Sequence, residues 1–306
     1  MDFRQLEIVK TVAETGSFTA AARQMHVSQS AISRQVLMLE EELKEPVFVR
    51  LGRRVRLTPA GEALLQLSHR VLADVRETTT SIVEHHDTLR GTIHLGGGMT
   101  VCLHVFPKLL KEYRRRHPEV DITLTTGGAP HLVERIRSGT VDVALMTLPV
   151  EGADLMQVPV MREELLLVTH PSHPVMRRRR VGARELDGQR LVLFERGSIT
   201  RRVIDSMIAR EQITPKIVME TENVEILKAL VAIGIGMTII PYQAVAREVR
   251  GGHLWCTRLD GVSMVRETGW VYMRAPRVPR LVQEMFGALD RTLPKLKLAP
   301  PGRGRR

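Results

Sequence analysis

Side chains suited to reading DNA bases stand together at the start of one predicted helix. Ser28 is a good N-cap, and the residues after it read as a helix to about Leu43. Glutamine pairs bidentately with adenine, arginine pairs with guanine, and serine pairs with either base. The residues predicted to contact DNA from this helix are Ser28, Gln29, Ser30, Ser33 and Arg34.

Two features of the surrounding sequence suit a surface that faces phosphate. No acidic residue occurs between residues 17 and 39, and carboxylates on such a surface would repel the phosphate backbone. Four arginines then surround Gly52, between two short β-type runs, and predict a basic hairpin. An arginine-rich turn is often only solvated surface, but beside this helix we interpret it as a phosphate or minor-groove clamp. Its arginines are Arg50, Arg53, Arg54 and Arg56.

A helix-turn-helix would position these side chains. Ser17 predicts the cap of an alanine-rich helix over residues 19–25, and only His26 and Val27 separate that helix from the next cap. Two helices joined so closely can place the second in the major groove. The second helix has an apolar arc that predicts its inward face, formed by Ile32, Val36, Leu39 and Leu43.

These residues resemble the N-terminal domain of LysR-type transcriptional regulators. The resemblance covers nearly all of residues 1–65, from FRQLEIVKTVAETGSFTAAARQMHVSQSAISRQVLMLEEEL to RRVRLTPAGEALL. It implies a winged helix-turn-helix that binds double-stranded DNA. Two positions depart from the family pattern. Lys44 stands where glycine is usual, at a position that is commonly left-handed, and Val47 replaces the usual leucine.

A long helix is predicted next, because Thr58 and Pro59 read as an N-cap and a first helical residue. No breaker occurs before about Leu89, which gives ~30 residues and ~45 Å. Its apolar face is too long for the small N-terminal domain, which indicates pairing with a second chain. Packing on the C-terminal part of the chain is the alternative, and the resemblance favours the dimer. The face comprises Leu64, Val71, Val75, Ile82 and Leu89, with Leu65, Leu72 and Val83 alongside.

From residue 91 the sequence alternates between strand and helix patterns. One β-α-β-α-β rhythm runs from residue 92 to 146 and another from 191 to 240, which predicts a mainly parallel sheet covered by helices. The motifs GGAPHLVERIRSGTVDVALM, HPSHPV, FERGSITRRVIDSM and VEILKALVAIGIGMTIIP resemble the LysR effector domain. The resemblance implies two α/β lobes, shaped like a periplasmic binding protein. The expected fold class is α/β, with an N-terminal winged helix-turn-helix and a long linker helix.

The chain therefore divides into four predicted segments. They are a DNA-binding domain (1–58), a linker and dimerisation helix (59–90), an effector-binding domain (91–293) and a basic, disordered tail (294–306). Within the effector domain, lobe I is predicted to comprise residues 91–161 and 269–293, and lobe II residues 162–268.

Ligands of open α/β sheets bind beyond the carboxyl ends of the strands, near helix N-termini. The resemblance implies that Thr100 and Thr200 touch an effector from opposite lobes. Hydroxyls at two helix starts suit an organic anion, although a plain helix cap is the alternative for any single Ser or Thr. The predicted effector-binding residues are Gly98, Met99, Thr100, Gly128, Thr147, Ser198, Ile199, Thr200 and Ile235.

The composition limits the number of domains, the compartment and the possibility of a membrane segment. The length of 306 residues favours two domains. The net charge is +11. Most of the excess charge lies in arginine runs that read as solvated loops and in the tail, for which DNA contact is an open alternative. Cys102 and Cys256 predict no disulfide framework and fit a reducing cytoplasm. No apolar run is long enough to span a bilayer or to act as an export signal.

No catalytic constellation, metal site or cofactor motif stands out, and His170 and His173 read as part of a histidine-proline turn. We therefore expect a cytoplasmic, effector-controlled regulator and not an enzyme. The resemblance implies a dimer through the linker helix and a homotetramer on a near-palindromic operator, with RNA polymerase as a further partner of an activator. An effector-independent architectural protein or constitutive repressor is the alternative.

Overall fold

A computed structural model describes residues 1–51, 54–83, 89–177, 180–275, 277–296 and 298. The chain divides into two units, one formed by Met1–Asp87 with Arg137–Thr140 and the other by Thr88–Ile136 with Val141–Arg306. The four segment boundaries expected from the sequence remain predictions.

The N-terminal unit is a helix-turn-helix followed by a hairpin and a long helix. The predicted caps are present, because Ser17 Oγ accepts from the N–H of Ala20 and Ser28 Oγ accepts from that of Ala31. Both bonds satisfy N–H groups that a helix start leaves free. The elements are α1 (Phe3–Thr15), α2 (Phe18–Gln24), α3 (Gln29–Leu43), β1 (Phe48–Leu51), β2 (Arg54–Leu57) and α4 (Pro59–Val83).

The inward face of α3 is nearly as predicted. Ile32, Val36 and Leu39 are buried in two apolar clusters that they share with α1. The prediction for Leu43 is wrong, since 38% of this residue is exposed. It lies in the last turn of α3, beyond the part of the helix that these clusters reach.

Lys44 ends α3 in the left-handed conformation, with φ 55° and ψ 26°. A side chain is strained there and glycine is not. We expect Lys44→Gly to raise the free energy of unfolding by about 0.5–1 kcal/mol in urea denaturation. Lys44→Ala is the control, because it removes the charge and keeps the Cβ. An equal gain from alanine would mean that the charge of the lysine, and not its backbone, is unfavourable.

The first half of the apolar face of α4 packs within the N-terminal unit. Leu64 is buried against α1, and Leu67 and Val71 pack on the same cluster, whereas Val75 is 39% exposed. Leu89 was predicted on this face, but its backbone is not helical and it lies in the core of the second unit. The predicted helical residues 84–88 lie outside the described residues, as do the side chains of residues 82 and 83.

The second unit alternates strands and helices. Its elements in chain order are β3 (Gly91–Gly97), α5 (Met99–His104), α6 (Phe106–Arg116), β4 (Val120–Thr126), α7 (Ala129–Arg137), β5 (Val143–Leu148), β6 (Leu155–Thr169), β7 (Arg190–Leu193), α8 (Ile199–Arg210), β8 (Lys216–Glu220), α9 (Val224–Ala232), β9 (Thr238–Pro241), α10 (Tyr242–Arg250), β10 (Trp255–Thr257), β11 (Val265–Met273) and α11 (Arg280–Thr292).

The main sheet of this unit is mixed, so the expectation of a mainly parallel sheet is wrong. Its order is β10-β6-β11-β5-β3-β4, with β9 also paired to β6. Strand β3 runs parallel to β4 and β5, but β11 is antiparallel to both β5 and β6. All of β11 pairs with residues 155–164 of β6, and the register shifts between Thr268 and Gly269. A separate parallel pair is formed by β7 and β8.

The sequence pattern predicts one helix from about Thr100 to His117, but the structure has two helices there. α5 ends at His104 and α6 begins at Phe106, with Pro107 in its first turn. Proline cannot donate a backbone hydrogen bond, and its ring clashes with the preceding turn. The helix start predicted to face the effector therefore belongs to a helix of only 6 residues, and the dipole argument for an anion is weaker in lobe I than expected.

Candidate DNA interface and effector cleft

The residues predicted to read DNA lie on the exposed first turns of α3. Ser28, Gln29, Ser30 and Arg34 are exposed, and Ser33 is half-buried. Gln29 Nε2 donates to Ser33 Oγ at 2.7 Å, and the hydroxyls of Ser28 and Ser30 are 3.0 Å apart. These bonds hold the polar side chains in order before any DNA is bound.

Two of the three glutamates in the second half of α3 are engaged within the N-terminal unit. Glu40 Oε1 accepts from the N–H groups of Val47 and Phe48 at 2.7 and 3.2 Å. Glu42 is 2.5 Å from the N-terminal ammonium of Met1. Their negative charge is used to hold β1 and the N-terminus, away from the first turn of α3.

The predicted clamp is a two-stranded hairpin. Arg50 and Arg54 lie on its antiparallel strands, while Arg53 and the rest of the turn fall outside the described residues. Arg56 is exposed. The N–H of Val55 donates to the carbonyl of Gly16 at 3.1 Å, which fixes the hairpin to the turn that precedes α2.

In lobe I the predicted effector residues follow the ends of β3, β4 and β5. Gly98 precedes α5, Met99 is half-buried, and Thr100 is buried. Thr147 is half-buried near the end of β5. A Cβ on Gly128 would lie 3.1 Å from Glu222 Oε1 of lobe II, so this glycine permits a close approach of the two lobes.

In lobe II the predicted residues surround the start of α8. Ser198 caps this helix, with its Oγ accepting from the N–H of Arg201 at 3.1 Å. Ile199 and Thr200 are buried in its first turn. Ile235 is half-buried and packs on the lobe II core. Ser198 is therefore a helix cap, which is the alternative to effector contact that the sequence leaves open for a single serine or threonine.

A buried polar network connects Thr200 to β6 and β11, the two crossing strands that run between the predicted lobes. Arg266 donates to Thr200 Oγ1 at 2.8 Å and to Glu163 Oε2 at 3.0 Å. Thr268 Oγ1 donates to Glu163 Oε2 at 2.6 Å. Gln243 Nε2 donates to the other oxygen of the same carboxylate. We call these five residues the Glu163 network.

This network brings predicted residues of both lobes near each other. Thr147 pairs with Thr268 in the register of β5 and β11, and Thr268 reaches Thr200 through Glu163 and Arg266. Thr147 of lobe I thus lies opposite Thr268 in the paired strands, and buried hydrogen-bonding groups join Thr268 to the first turn of α8.

A groove of about 450 Å³ opens beside the network. It combines an apolar wall with charged groups, as small-molecule sites commonly do. Of the predicted effector residues, Ile199 lines it. The other lining residues are Leu148, Pro149, Val150, Glu151, Arg202, Val203, Ser206, Val265, Arg266 and Glu267.

Glu163 and Arg266 were missed in the sequence, although a signal was present. Successive side chains of a strand point to opposite faces. Met161, Glu163 and Leu165 share one face of β6, and all three are buried. A carboxylate on the inward face of an apolar strand requires a buried partner, which could have directed the search to Arg266.

The cysteines and histidines have structural surroundings. Burial raises the pKa of the Cys102 and Cys256 thiols to about 11, which keeps them protonated and unreactive at neutral pH. His170 Nδ1 accepts from the N–H of Ser172, and His173 Nδ1 accepts from that of Val175, both within one turn. Among the described residues, no three potential ligands gather into a metal site.

Family models match both units of the chain. Residues 3–62 match the bacterial regulatory helix-turn-helix protein, lysR family, and residues 86–294 match the LysR substrate binding domain. The chain belongs to the LysR family. This LysR family protein is a DNA-binding transcriptional regulator with an effector domain, and not an enzyme. No helix within the described residues is long and apolar enough to cross a membrane.

Individual relatives cover nearly the whole LysR chain. The probable RuBisCO transcriptional regulator of Trichormus variabilis is 31% identical over 288 residues, which are 92% of this chain and 85% of the relative. That of Guillardia theta is 29% identical, with 92% and 93% covered.

Solved structures of other regulators also resemble nearly the whole chain. Full-length CbnR in complex with its target DNA is 25% identical, covers 95% of this chain and 100% of its own, and has a TM-score of 0.70. A full-length OxyR variant from Pseudomonas aeruginosa is 22% identical, covers 100% of this chain and 99% of its own, and has a TM-score of 0.79. The OxyR likeness shows the fold alone.

Proposed function

We propose that the regulator reads its operator through the first turns of α3 and grips the backbone with the β1–β2 hairpin. Gln29, Ser30, Ser33 and Arg34 would contact base edges, and Ser28 a phosphate. The observation that carries this proposal is the exposed polar surface on the first turns of α3, where Gln29 is hydrogen-bonded to Ser33, while Glu40 and Glu42 are engaged elsewhere. The hairpin arginines Arg50, Arg53 and Arg54 would supply the sequence-independent part of the affinity.

A small molecule bound between the lobes would control this binding. Closure of the lobes on an effector would favour one placement of the DNA-binding units over another. The Glu163 network supports this proposal, because it joins Thr200 to the crossing strands that connect the lobes. An organic anion is the chemical class we propose, since free N–H groups and hydroxyls stand at the start of α8.

The proposed assembly is a dimer through α4 and a tetramer of two such dimers on a near-palindromic operator in the cytoplasm. Val75 is exposed on the face of α4 that carries Leu64 and Val71, which supports a partner for the second half of the helix. Two recognition helices held by a dimer require half-sites about one DNA turn or more apart. RNA polymerase would be a further partner if the protein activates transcription.

The names of the relatives suggest target genes. Because several are called probable RuBisCO transcriptional regulators, we propose RuBisCO promoters as candidate operators.

The test is selection of genomic fragments bound by the full chain, with and without a panel of organic acids. We expect enrichment of paired half-sites and a footprint that changes with one acid. An enriched site whose footprint is unchanged by every metabolite would support the effector-independent alternative. The absence of any enrichment over scrambled duplex would contradict sequence-specific binding.

A further inference from the structure

A second charged cluster joins the predicted lobes, apart from the Glu163 network. It consists of His104 at the end of α5 in lobe I, and of Glu225, Lys228 and Glu248 on α9 and α10 in lobe II. The Lys228 ammonium donates to Glu225 Oε1 at 2.8 Å, to Glu248 Oε1 at 2.7 Å and to the carbonyl of Ala244 at 2.9 Å. These three bonds use all of its donors, and its side chain is only 6% exposed.

The imidazole of His104 faces this cluster from the other lobe. Its Nε2 is 3.2 Å from Glu225 Oε1, but that buried atom makes no well-aligned hydrogen bond within the described part of the chain. Burial and the charge of Lys228 lower the pKa of His104, against the opposing attraction of Glu225 and Glu248. At neutral pH the ring is therefore uncharged, and the two lobes meet without a repulsive charge.

The arrangement of charges determines what a proton would do. A proton on His104 would place a second cation beside Lys228 in a buried position, where burial and the ammonium disfavour it more strongly than Glu225 and Glu248 favour it. If α5 moved away from α9, water would solvate the imidazolium and that repulsion would fall. The group binds its proton more weakly in the packed arrangement, so acid favours the separated one. Because the pKa of His104 is lowered in the packed state, that state loses stability as the pH falls below about 6.5, the ordinary pKa of histidine.

We propose that His104, Glu225, Lys228 and Glu248 form a proton-sensitive junction, which permits α5 to pack against lobe II at neutral pH and opposes that packing on acidification. α5 is one short helix that runs from Met99 and Thr100 to His104. Release at its C-terminal end would therefore displace the residues that we propose to touch the effector. The effect on effector binding rests on the proposed function of the cleft, whereas the junction does not.

The test measures hydrogen exchange of the full chain without effector, corrected for the intrinsic effect of pH on exchange. We expect several-fold faster exchange in the peptide that covers α5 at pH 5.5 than at pH 7.5. His104→Asn is the matched variant, because asparagine is polar and does not titrate. Its α5 should exchange equally at both pH values. The same acid loosening in His104→Asn, or no loosening in the wild type, would overturn the junction.

Lys228→Met provides the sharper variant. Without the ammonium, His104 faces two carboxylates, so its NMR titration midpoint should rise and acid should then slow the exchange of α5. A variant in which acid still loosens α5 would contradict the role of Lys228. If Lys228→Met does not fold, Glu225→Gln replaces it and should enlarge the acid loosening of α5, because it removes an attraction that offsets part of the cost of protonating His104 in the packed state. No effector is used, so these outcomes are independent of whether the cleft binds one.

Discussion

Replacing Arg266 by methionine is expected to lower the free energy of unfolding by about 3–5 kcal/mol, because it leaves a buried charge without its partner. Glu163 is fully buried, and Arg266 is its only cationic partner among the ion pairs of the described residues. Thr200 would also lose the donor that bonds its hydroxyl. Urea denaturation followed by circular dichroism measures the loss.

The same two strands supply a matched control. Arg162 and Glu267 are paired in register on β6 and β11, at 3.6 Å, with side chains 76% and 48% exposed. Exposed pairs of this kind contribute little, so Arg162→Met should change stability by less than about 0.5 kcal/mol. A similar loss from both methionine variants would show that the buried network does not stabilise the crossing strands.

A double replacement separates the charge from the packing. Glu163→Leu combined with Arg266→Met removes both ions, and buried ion pairs can be replaced by apolar residues at little cost. We expect the double variant to be more stable than Arg266→Met alone. With the single variant Glu163→Leu measured as well, the double-mutant cycle gives the coupling energy of the pair. A double variant that is less stable than Arg266→Met would indicate that the remaining polar groups around Gln243 and Thr268 need the carboxylate.

The N-terminal unit was largely predictable because its determinants are local. A serine cap depends on one side chain and an N–H three residues later, and both Ser17 and Ser28 form that bond. The inward arc of α3 follows from helical periodicity and failed only at Leu43, where the neighbouring core ends. Helix ends depend on tertiary neighbours, which the pattern of one helix does not contain.

The second unit was less predictable, because its strand directions depend on distant residues. β11 pairs with β5 and β6 across about 100 residues of chain, so its antiparallel direction is absent from the local β-α-β rhythm. α10 was not predicted at all. It begins at Tyr242, immediately after β9 ends at Pro241, and its Val245 is buried in an apolar cluster with residues of β6, β7 and α9.

The candidate site shows the same division. The predicted positions at strand ends and helix starts follow from general rules for α/β sheets, and the structure links Thr147 to Thr200. The groups between them come from β6, α10 and β11, which are remote in sequence. Only Glu163 carried a signal in the sequence, as a carboxylate on the inward face of an apolar strand, and its partners became recognisable once the fold had placed them beside it.

For DNA binding, the largest effect is expected from Arg34→Ala. Arg34 is exposed on α3, and no ion pair among the described residues engages it. A bidentate contact to guanine contributes about 1–3 kcal/mol of discrimination, so affinity for the operator should fall by about 5- to 150-fold. Fluorescence anisotropy should show this loss with the selected operator, while binding to scrambled duplex persists and remains sensitive to salt.

Arg56→Ala is the control, because Arg56 is an exposed hairpin arginine rather than a residue of α3. A phosphate contact has no sequence preference, so this variant should weaken operator and scrambled duplex alike and reduce the salt slope by about 1. The two variants remove the same charge, and therefore their difference isolates base reading from electrostatic attraction. If Arg34→Ala also weakened both duplexes equally, Arg34 would be a backbone contact, and specificity would have to come from Gln29 and its partner Ser33.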